Sequence, residues 1–460
     1  MAKHLHEIRD PIHIFVRLDS EERKVLNSRP FQRLRHIHQL ALTNLVYPGA
    51  THRRFEHSLG VMELAGRVYD VITNPVNLID ASVRAVVPPP THLEYTYWRR
   101  VLRMAALCHD IGHLPFSHAA EAELLPSGWN HERLTVELIR GSDLAPIWRE
   151  IKLQAEDVAK IAVGPKEYRD GPFTDWEAIL AEVIVGNAFG VDRMDYLLRD
   201  SHHAGVAYGR FDHFRLVDTL RILPQPPSGD GVGTDAPPAA SPSGEAAAKE
   251  TPPARTEPTL GVDEGGLHSA EALLLARYFM YSQLYFHHVR RIYDIHLKDF
   301  LRSWLPGGAF PTDLENHLQF TDNEVMAGIL AAARSPQLPG HDPARRIVRR
   351  EHFRLLYQRN PNDAKRNRDA AGAVFRAARD RFGTAFVHYD AYSEKRRGID
   401  FPVLTKDGRI VSSLALSDPL EHVPVVVVEF VFIAPHCLPE AETWRDENLD
   451  SLITPQMEKE

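Results

Sequence analysis

The sequence predicts a mainly α-helical protein with a small β-hairpin and a C-terminal α+β appendage. Three observations lead there. Apolar residues recur at three- and four-residue spacing over Leu59 to Ala65, Leu102 to Cys108, Ile179 to Ala188 and Ala270 to Phe286, which is the helical period. Near the end the period changes: Phe386-Val387-His388-Tyr389 and Val423 to Phe432 are β-branched and aromatic runs close to Pro and Gly, as strands are. Between these regions, residues 224–258 are dominated by Pro, Gly, Ala, Ser and Thr, with no Leu, Ile or aromatic side chain.

Each element has its local reason. Ser20 followed by Glu21 and Glu22 marks a helix start. Thr174, three residues ahead of Glu177 and just before an apolar run, is a capping box. The 224–258 segment cannot bury enough apolar surface to offset its ordering, so it is expected to be disordered. Its flanks, Leu220 to Leu223 and Thr259 to Asp263, are short and strand-like, which favours a swollen hairpin loop over an interdomain linker. Stretching such a loop to roughly thirty-five residues costs only ~2 kcal/mol of closure entropy. The helical core is expected over residues 1–375 and the appendage over 376–460.

Composition narrows the function classes. Of 460 residues, 43% are hydrophobic and 25% charged, and the net charge of −8 gives no global field for nucleic acid. The run Arg345-Arg346-Ile347-Val348-Arg349-Arg350 is a local basic patch, read as a solvated helix face rather than a nucleic-acid site. Two cysteines, Cys108 and Cys437, cannot build a disulfide framework, which fits a reducing cytoplasm. The opening MAKHLHEIRD has no apolar signal core, and no stretch reaches the roughly 18 apolar residues of a membrane helix. A cytoplasmic protein is expected.

The chemistry concentrates in ALCHDIGHLPFSH, Ala106 to His118. It sets the adjacent pair His109–Asp110 within a few residues of His113 and His118. Neutral nitrogen with anionic oxygen suits a divalent metal. An Asp at the C-terminal end of a buried helix is unfavourable for the helix dipole and for burial unless a cation compensates. RRFEHSLG (Arg53 to Gly60) and FGVDRMDYLLRD (Phe189 to Asp200) supply the further His57 and Asp192 of a four-ligand set. The helical period places Asp192, Tyr196 and Arg199 on one face.

This order of His, His–Asp and Asp on separate helices resembles the ligand pattern of the HD-domain phosphohydrolases. The strings DPIH, PFQRLRHIHQL, YPGATHRRFEHS, CHDIGHLPFSH, WNHE and VDRMDYLLRDSHH are similar to the deoxynucleoside triphosphate triphosphohydrolase branch. The likeness is strong over Glu7 to Gly205 and patchy through Arg354. It implies an HD-domain helical core and one divalent metal (Mg, Mn, Fe or Co) held by His57, His109, Asp110 and Asp192. The implied reaction is attack at the α-phosphorus of a dNTP, releasing deoxynucleoside and inorganic triphosphate. His118 matches the proton donor to the leaving 5′-oxygen, His113 a phosphate contact, and His131 with Glu121 a neighbouring His–carboxylate couple. Glu121 is one methylene longer than the family's usual Asp.

By the same resemblance, Arg54 faces the α-phosphate, Arg193 stands where relatives carry Lys, and Arg277 faces the γ-phosphate. Arg277, Tyr281 and Tyr285 recur every four residues on one helix; Tyr285 lies beside the base and Tyr281 replaces a family His. Gln39, Asp200 and Tyr196 match the residues that bind the 3′-hydroxyl and crowd the 2′-carbon, and Leu40 completes a Gln–Leu pair, so dNTPs are expected over NTPs. Regulatory nucleotide sites are implied at Gln32 and Arg35, and at Arg215, His287 and Arg354. Their guanine-reading acid is replaced by Asn27, a basic partner by His6, and two basic residues by Asp263 and Gly265. Altered or absent allostery is therefore expected, in a homo-oligomer (dimer or tetramer). The His202–His203 pair reads as structural. The alternatives are an HD phosphohydrolase acting on a deoxynucleoside monophosphate or a cyclic or hyperphosphorylated nucleotide, and a nucleotide-sensing pseudo-enzyme, which intact ligand positions disfavour.

Overall fold

Residues 5–116, 121–225, 258–393 and 400–454 are described by a computed structural model. The architecture is mainly helical with three small sheets among the described residues. The chain opens with a hairpin that the helical periodicity does not signal: β1 (Leu5–Asp10) pairs antiparallel with β2 (Ile14–Asp19). Asp19 Oδ1 then accepts from the amides of Glu21 and Glu22 at 2.9 and 2.8 Å. The helix start expected at Ser20 is thus set by its neighbour, because a carboxylate satisfies two free helix N–H groups where one hydroxyl satisfies fewer.

The main core forms around α1 (Arg54–Ile72) and α2 (Leu93–Cys108), which lie against each other. Around them pack α3 (His131–Arg140), α4 (Ala155–Glu167), α5 (Asp175–Val185) and α6 (Val191–Ala204). Leu64, Ala105, Ile161, Leu180 and Met194 are fully buried there. Thr174 and Glu177 exchange side chain–backbone hydrogen bonds at the start of α5. After α7 (His213–Thr219), β3 (Leu220–Pro224) and β4 (Pro258–Asp263) pair antiparallel, with Pro224 opposite Pro258. Residues 226–257, nearly all of the segment expected to be disordered, lie outside the described residues.

The helix expected over Ala270 to Phe286 is divided. It runs as α8 (Leu267–Met280), then widens into a π-helical turn over Tyr281–Tyr285. Next come α9 (His288–Trp304), α10 (Asp322–Arg334) and α11 (His341–Val348), whose Phe300, Val325, Ile329 and Ala344 share a second core. Further elements include β5 (Arg354–Gln358), α12 (Ala370–Phe382), β6 (Val387–Ser393), β7 (Pro402–Leu404), β8 (Ile410–Ser412), β9 (Val427–Ile433) and α13 (Leu438–Ile453). β9 lies between β5 and β6, antiparallel to both, with Val374, Val431 and Ala441 in a core of their own. It starts later than Val423 because Pro424 has no N–H to give a neighbouring strand. β7 returns to the hairpin and pairs parallel with β4. Among the described residues no helix is long and apolar enough to cross a membrane.

Candidate metal centre

His57 sits in the first turn of α1, His109 caps the C-terminus of α2 with Asp110 just beyond, and Asp192 lies in the first turn of α6. These elements bring His57, His109 and Asp110 together, with Asp192 reaching both imidazoles. His57 Nε2 is 3.0 Å from Asp192 Oδ1 and 3.8 Å from Asp110 Oδ2. His109 Nε2 is 3.4 Å from Asp110 Oδ1 and 3.5 Å from Asp192 Oδ1. Metal–ligand bonds of about 2.1 Å put adjacent ligand atoms roughly 3 Å apart, so these spacings fit a shared ion.

The tautomers fit as well. His109 donates Nδ1–H to the Ala106 carbonyl at 2.8 Å, which leaves its buried Nε2 as a lone pair without a hydrogen bond among the described residues. His57 donates Nδ1–H to Asp195 Oδ2 at 2.8 Å, again turning Nε2 towards the cluster. A nitrogen lone pair 3.0 Å from a carboxylate oxygen needs a proton or a cation between them. Burial opposes charge on His57, but hydrogen bonds to Asp192 and Asp195 outweigh it and push the imidazole up to about 10. The residues present therefore suit a divalent ion in place of that proton.

Asp195 is itself held on all sides. His13 Nε2 donates to Oδ1 at 2.7 Å, and Arg199 donates through Nε and Nη2 at 2.8 and 2.9 Å. Arg199 also reaches Asp10 Oδ2 at 2.8 Å, and Asp10 Oδ1 accepts from the amides of Ile12 and His13. Gly60 permits this: a Cβ there would stand 1.9 Å from Asp195 Oδ1. Arg199, which the helical period sets on the face of Asp192 and Tyr196, is fully buried against Asp195 and Asp10. Asp10, His13 and Asp195 were missed. The available signals were the glycine inside FEHSLG and the Asp–Arg spacing of four in DYLLR.

Arginines stand beside the cluster, Arg54 on Asp110 and Arg193 close to Asp192. Arg54 is 2% exposed and donates Nη1–H to Asp110 Oδ2 at 2.5 Å, so an arginine already offsets part of the cost of burying that carboxylate. Its Nε and Nη2 are buried with no hydrogen-bond partner among the described residues. Arg193 gives Nη1 to the carbonyls of Gly186 (3.0 Å) and Asn187, while its Nε is buried with no hydrogen bond among the described residues. The Arg277 guanidinium lies 5.5 Å from the Tyr281 ring. Tyr281 and Tyr196 both stand edge-on to Tyr285, at 5.1 and 6.1 Å. The π-helical turn is what rotates Tyr281 and Tyr285 into this group, and such turns recur at functional sites.

His113 Nε2 lies 3.1 Å from Asp110 Oδ1, and its ring stacks on His131 at 3.9 Å. Glu121 Oε1 accepts from both the backbone N and Nδ1 of His131 at 2.7 Å; its extra methylene is accommodated. Burial lowers His113 well below the usual range, helped by Arg54 and His131. For His131, burial is outweighed by Glu121, which raises it. Gly112 allows the loop to sit close, since a Cβ would meet the His131 carbonyl at 2.2 Å. His118 lies outside the described residues. Next to the tyrosines, Asp200 accepts from Tyr285 OH and His52 Nε2, each at 2.7 Å. Gln39 Oε1 is buried without a partner, and Leu40 is buried beside it in the chain.

The residues expected to regulate lie elsewhere. Arg35 donates to Gln32 Oε1 at 2.9 Å and covers the Phe55 ring. Arg215 borders a cavity of about 360 Å³ with Asp263, Glu264, Gly265 and Leu404 to Lys406. It donates to the Gly265 carbonyl at 3.2 Å. His287 stacks on His288, and Arg354 donates to His352 at 2.7 Å.

Comparison with known proteins agrees with the geometry. Residues 54–200 match the HD domain and residues 254–378 an HD associated region. An uncharacterized protein of Methanocaldococcus jannaschii is 32% identical over 63% of this chain and 48% of its own length. The deoxynucleoside triphosphate triphosphohydrolase SAMHD1 of Homo sapiens is 32% identical over 47% of this chain and 36% of its own length. The chain thus spans about half the length, or less, of these relatives. A crystal structure of a hypothetical protein from Aquifex aeolicus superposes with a TM-score of 0.73 at 28% identity, covering 95% of this chain and 99% of that one. Residues 54–200 thus carry an HD domain, and within it lies a His/Asp cluster suited to a divalent ion.

Proposed function

We propose that this protein hydrolyses deoxynucleoside triphosphates to the deoxynucleoside and inorganic triphosphate, in a metal-dependent reaction that controls dNTP pools. The observation that carries the reading is Arg54. It gives one N–H to Asp110 and keeps two buried donor nitrogens unmet beside the candidate ligands. Unmet buried donors cost about 1–3 kcal/mol each, and a phosphate oxygen is the acceptor that a guanidinium fork suits best.

A divalent ion held by His57, His109, Asp110 and Asp192 would supply Lewis acidity to a phosphate oxygen and to the attacking water. Arg54 would hold the α-phosphate, with Arg193 and Arg277 on the phosphates beyond it; a monophosphate would leave those two idle. Water attacks the α-phosphorus, the bond to O5′ breaks, and the departing oxygen takes a proton. His118 is assigned as that donor by the resemblance. His113 would steady the phosphate, and the His131–Glu121 couple, with its imidazole raised, would keep a proton close to the leaving group. Gln39 and Asp200 would bind the 3′-hydroxyl, Tyr196 would crowd the 2′-carbon, and Leu40, Tyr281 and Tyr285 would line the nucleoside. The name of the human relative supports this substrate class.

The test is direct. Metal-loaded protein is incubated with each dNTP and NTP, and products are separated by ion-exchange chromatography. Consumption of dNTPs into nucleoside and triphosphate, abolished by chelator, is expected. Turnover of a monophosphate or cyclic nucleotide with every dNTP left intact would overturn it in favour of a different phosphohydrolase.

A further inference from the structure

We infer that His52 is the positioning residue for the sugar side of this site, an inference that rests on the dNTP reading above. His52 lies two residues before α1 and is 3% exposed. Its backbone carbonyl accepts from the Gln39 amide at 3.0 Å. Its ring Nε2 donates to Asp200 Oδ1 at 2.7 Å. The other carboxylate oxygen accepts from Tyr285 OH at 2.7 Å. One residue therefore ties together Gln39, Asp200 and, through Asp200, Tyr285.

The ring has little freedom. It stacks on His203 at 4.4 Å with the planes 13° apart, and its Nδ1 is buried with no hydrogen bond among the described residues. The Nε2 contact with Asp200 is thus its one directional tie. An ionised carboxylate has about four acceptor positions, so His52 and Tyr285 each occupy one and leave others for a sugar hydroxyl. Gln39 Oε1, buried and without a hydrogen bond among the described residues, is a second acceptor.

Rejecting a ribose 2′-hydroxyl by crowding requires a wall that does not yield. Tyr196, which would crowd the 2′-carbon, rests edge-on against Tyr285 at 6.1 Å; Tyr285 is fixed by Asp200, and Asp200 by His52. Without the imidazole the carboxylate keeps one side-chain donor, can rotate, and lets Tyr285 move with it. The wall then accommodates the extra oxygen. His52 touches none of the four candidate metal ligands, so the metal should stay.

The experiment measures kcat and KM for dATP and ATP, with metal content, in wild type, His52→Ala and His52→Gln. Gln can place an N–H where Nε2 stands. The dATP-to-ATP ratio of kcat/KM is expected to fall by about tenfold or more in His52→Ala, with metal per chain unchanged, and to recover in His52→Gln. A general loss of structure would lower both nucleotides alike and would not be rescued. If His52→Ala does not fold, His52→Asn, whose amide is too short to reach Asp200, takes its place. An unchanged ratio in the alanine or asparagine variant, or an equal fall in His52→Gln, overturns the inference alone. A wild type that turns over neither nucleotide overturns the dNTP reading and this inference with it.

Discussion

Oδ2 of Asp195 accepts the Nδ1 proton of His57 at 2.8 Å, so one buried carboxylate decides which nitrogen of a candidate metal ligand faces the cluster. Such outer partners fix ring orientation and raise ligand basicity. Asp195→Asn is expected to weaken metal binding by about 10–100-fold. It also strands Arg199 and His13 and is expected to cost about 3–5 kcal/mol of stability. Metal content after dialysis and urea unfolding check the two effects. Wild-type metal affinity in a folded Asp195→Asn protein would contradict this role.

Arg54 touches a candidate ligand yet is assigned to phosphate. Arg54→Ala is expected to lower kcat/KM by about 10²–10³-fold while the protein still retains its metal, because Asp110 is freed rather than removed. Elemental analysis beside steady-state kinetics separates the two. Loss of metal with loss of activity would make Arg54 a support of the metal site instead.

Acid should destabilise the fold before the carboxylates protonate. Burial lowers His203 and His213 to about 4 each, aided for His203 by His52 and for His213 by His13. In the unfolded chain both titrate near about 6.5. The unfolded state therefore binds more protons between those values, and stability falls as pH drops from about 6.5 towards 4. In chelated protein the raised His57 acts in the opposite sense, but its contribution is complete below about 6.5 and constant across this window. Urea midpoints at pH 6.5, 5.7 and 5.0 should decline in that order. A midpoint that holds steady would contradict the burial argument.

Guanine nucleotide should leave the dNTP rate unchanged. Asn27 offers no carboxylate to guanine, and Asp263 already accepts from Arg221 Nη2 at 2.6 Å. Arg215 donates to the Gly265 carbonyl. Initial rates with dATP, with and without GTP, decide it; strong activation would show that guanine is read by other groups.

The mainly helical fold was legible because apolar spacing reports it locally, and the β3–β4 pairing because strand-like flanks bracket a Pro- and Ala-rich run. The approach of His57, His109 and Asp110 was legible only through resemblance, since no periodicity relates residues on separate helices. What escaped notice was non-local or broke the period. His13 and Asp195 are 182 residues apart in the chain, and each alone reads as an ordinary polar side chain. The six-residue strands of the N-terminal hairpin are too short to stand out. The π-helical turn at Tyr281–Tyr285 keeps the composition of a helix while changing its winding, so an apolar period does not reveal it.

The account turns on water attacking the α-phosphorus with O5′ departing. Running the reaction with dATP in ¹⁸O-labelled water and weighing both products by mass spectrometry tests that step. One labelled oxygen in the inorganic triphosphate and none in the deoxynucleoside is the predicted result. Label in the nucleoside, or deoxynucleotide accompanied by pyrophosphate or orthophosphate, would contradict it.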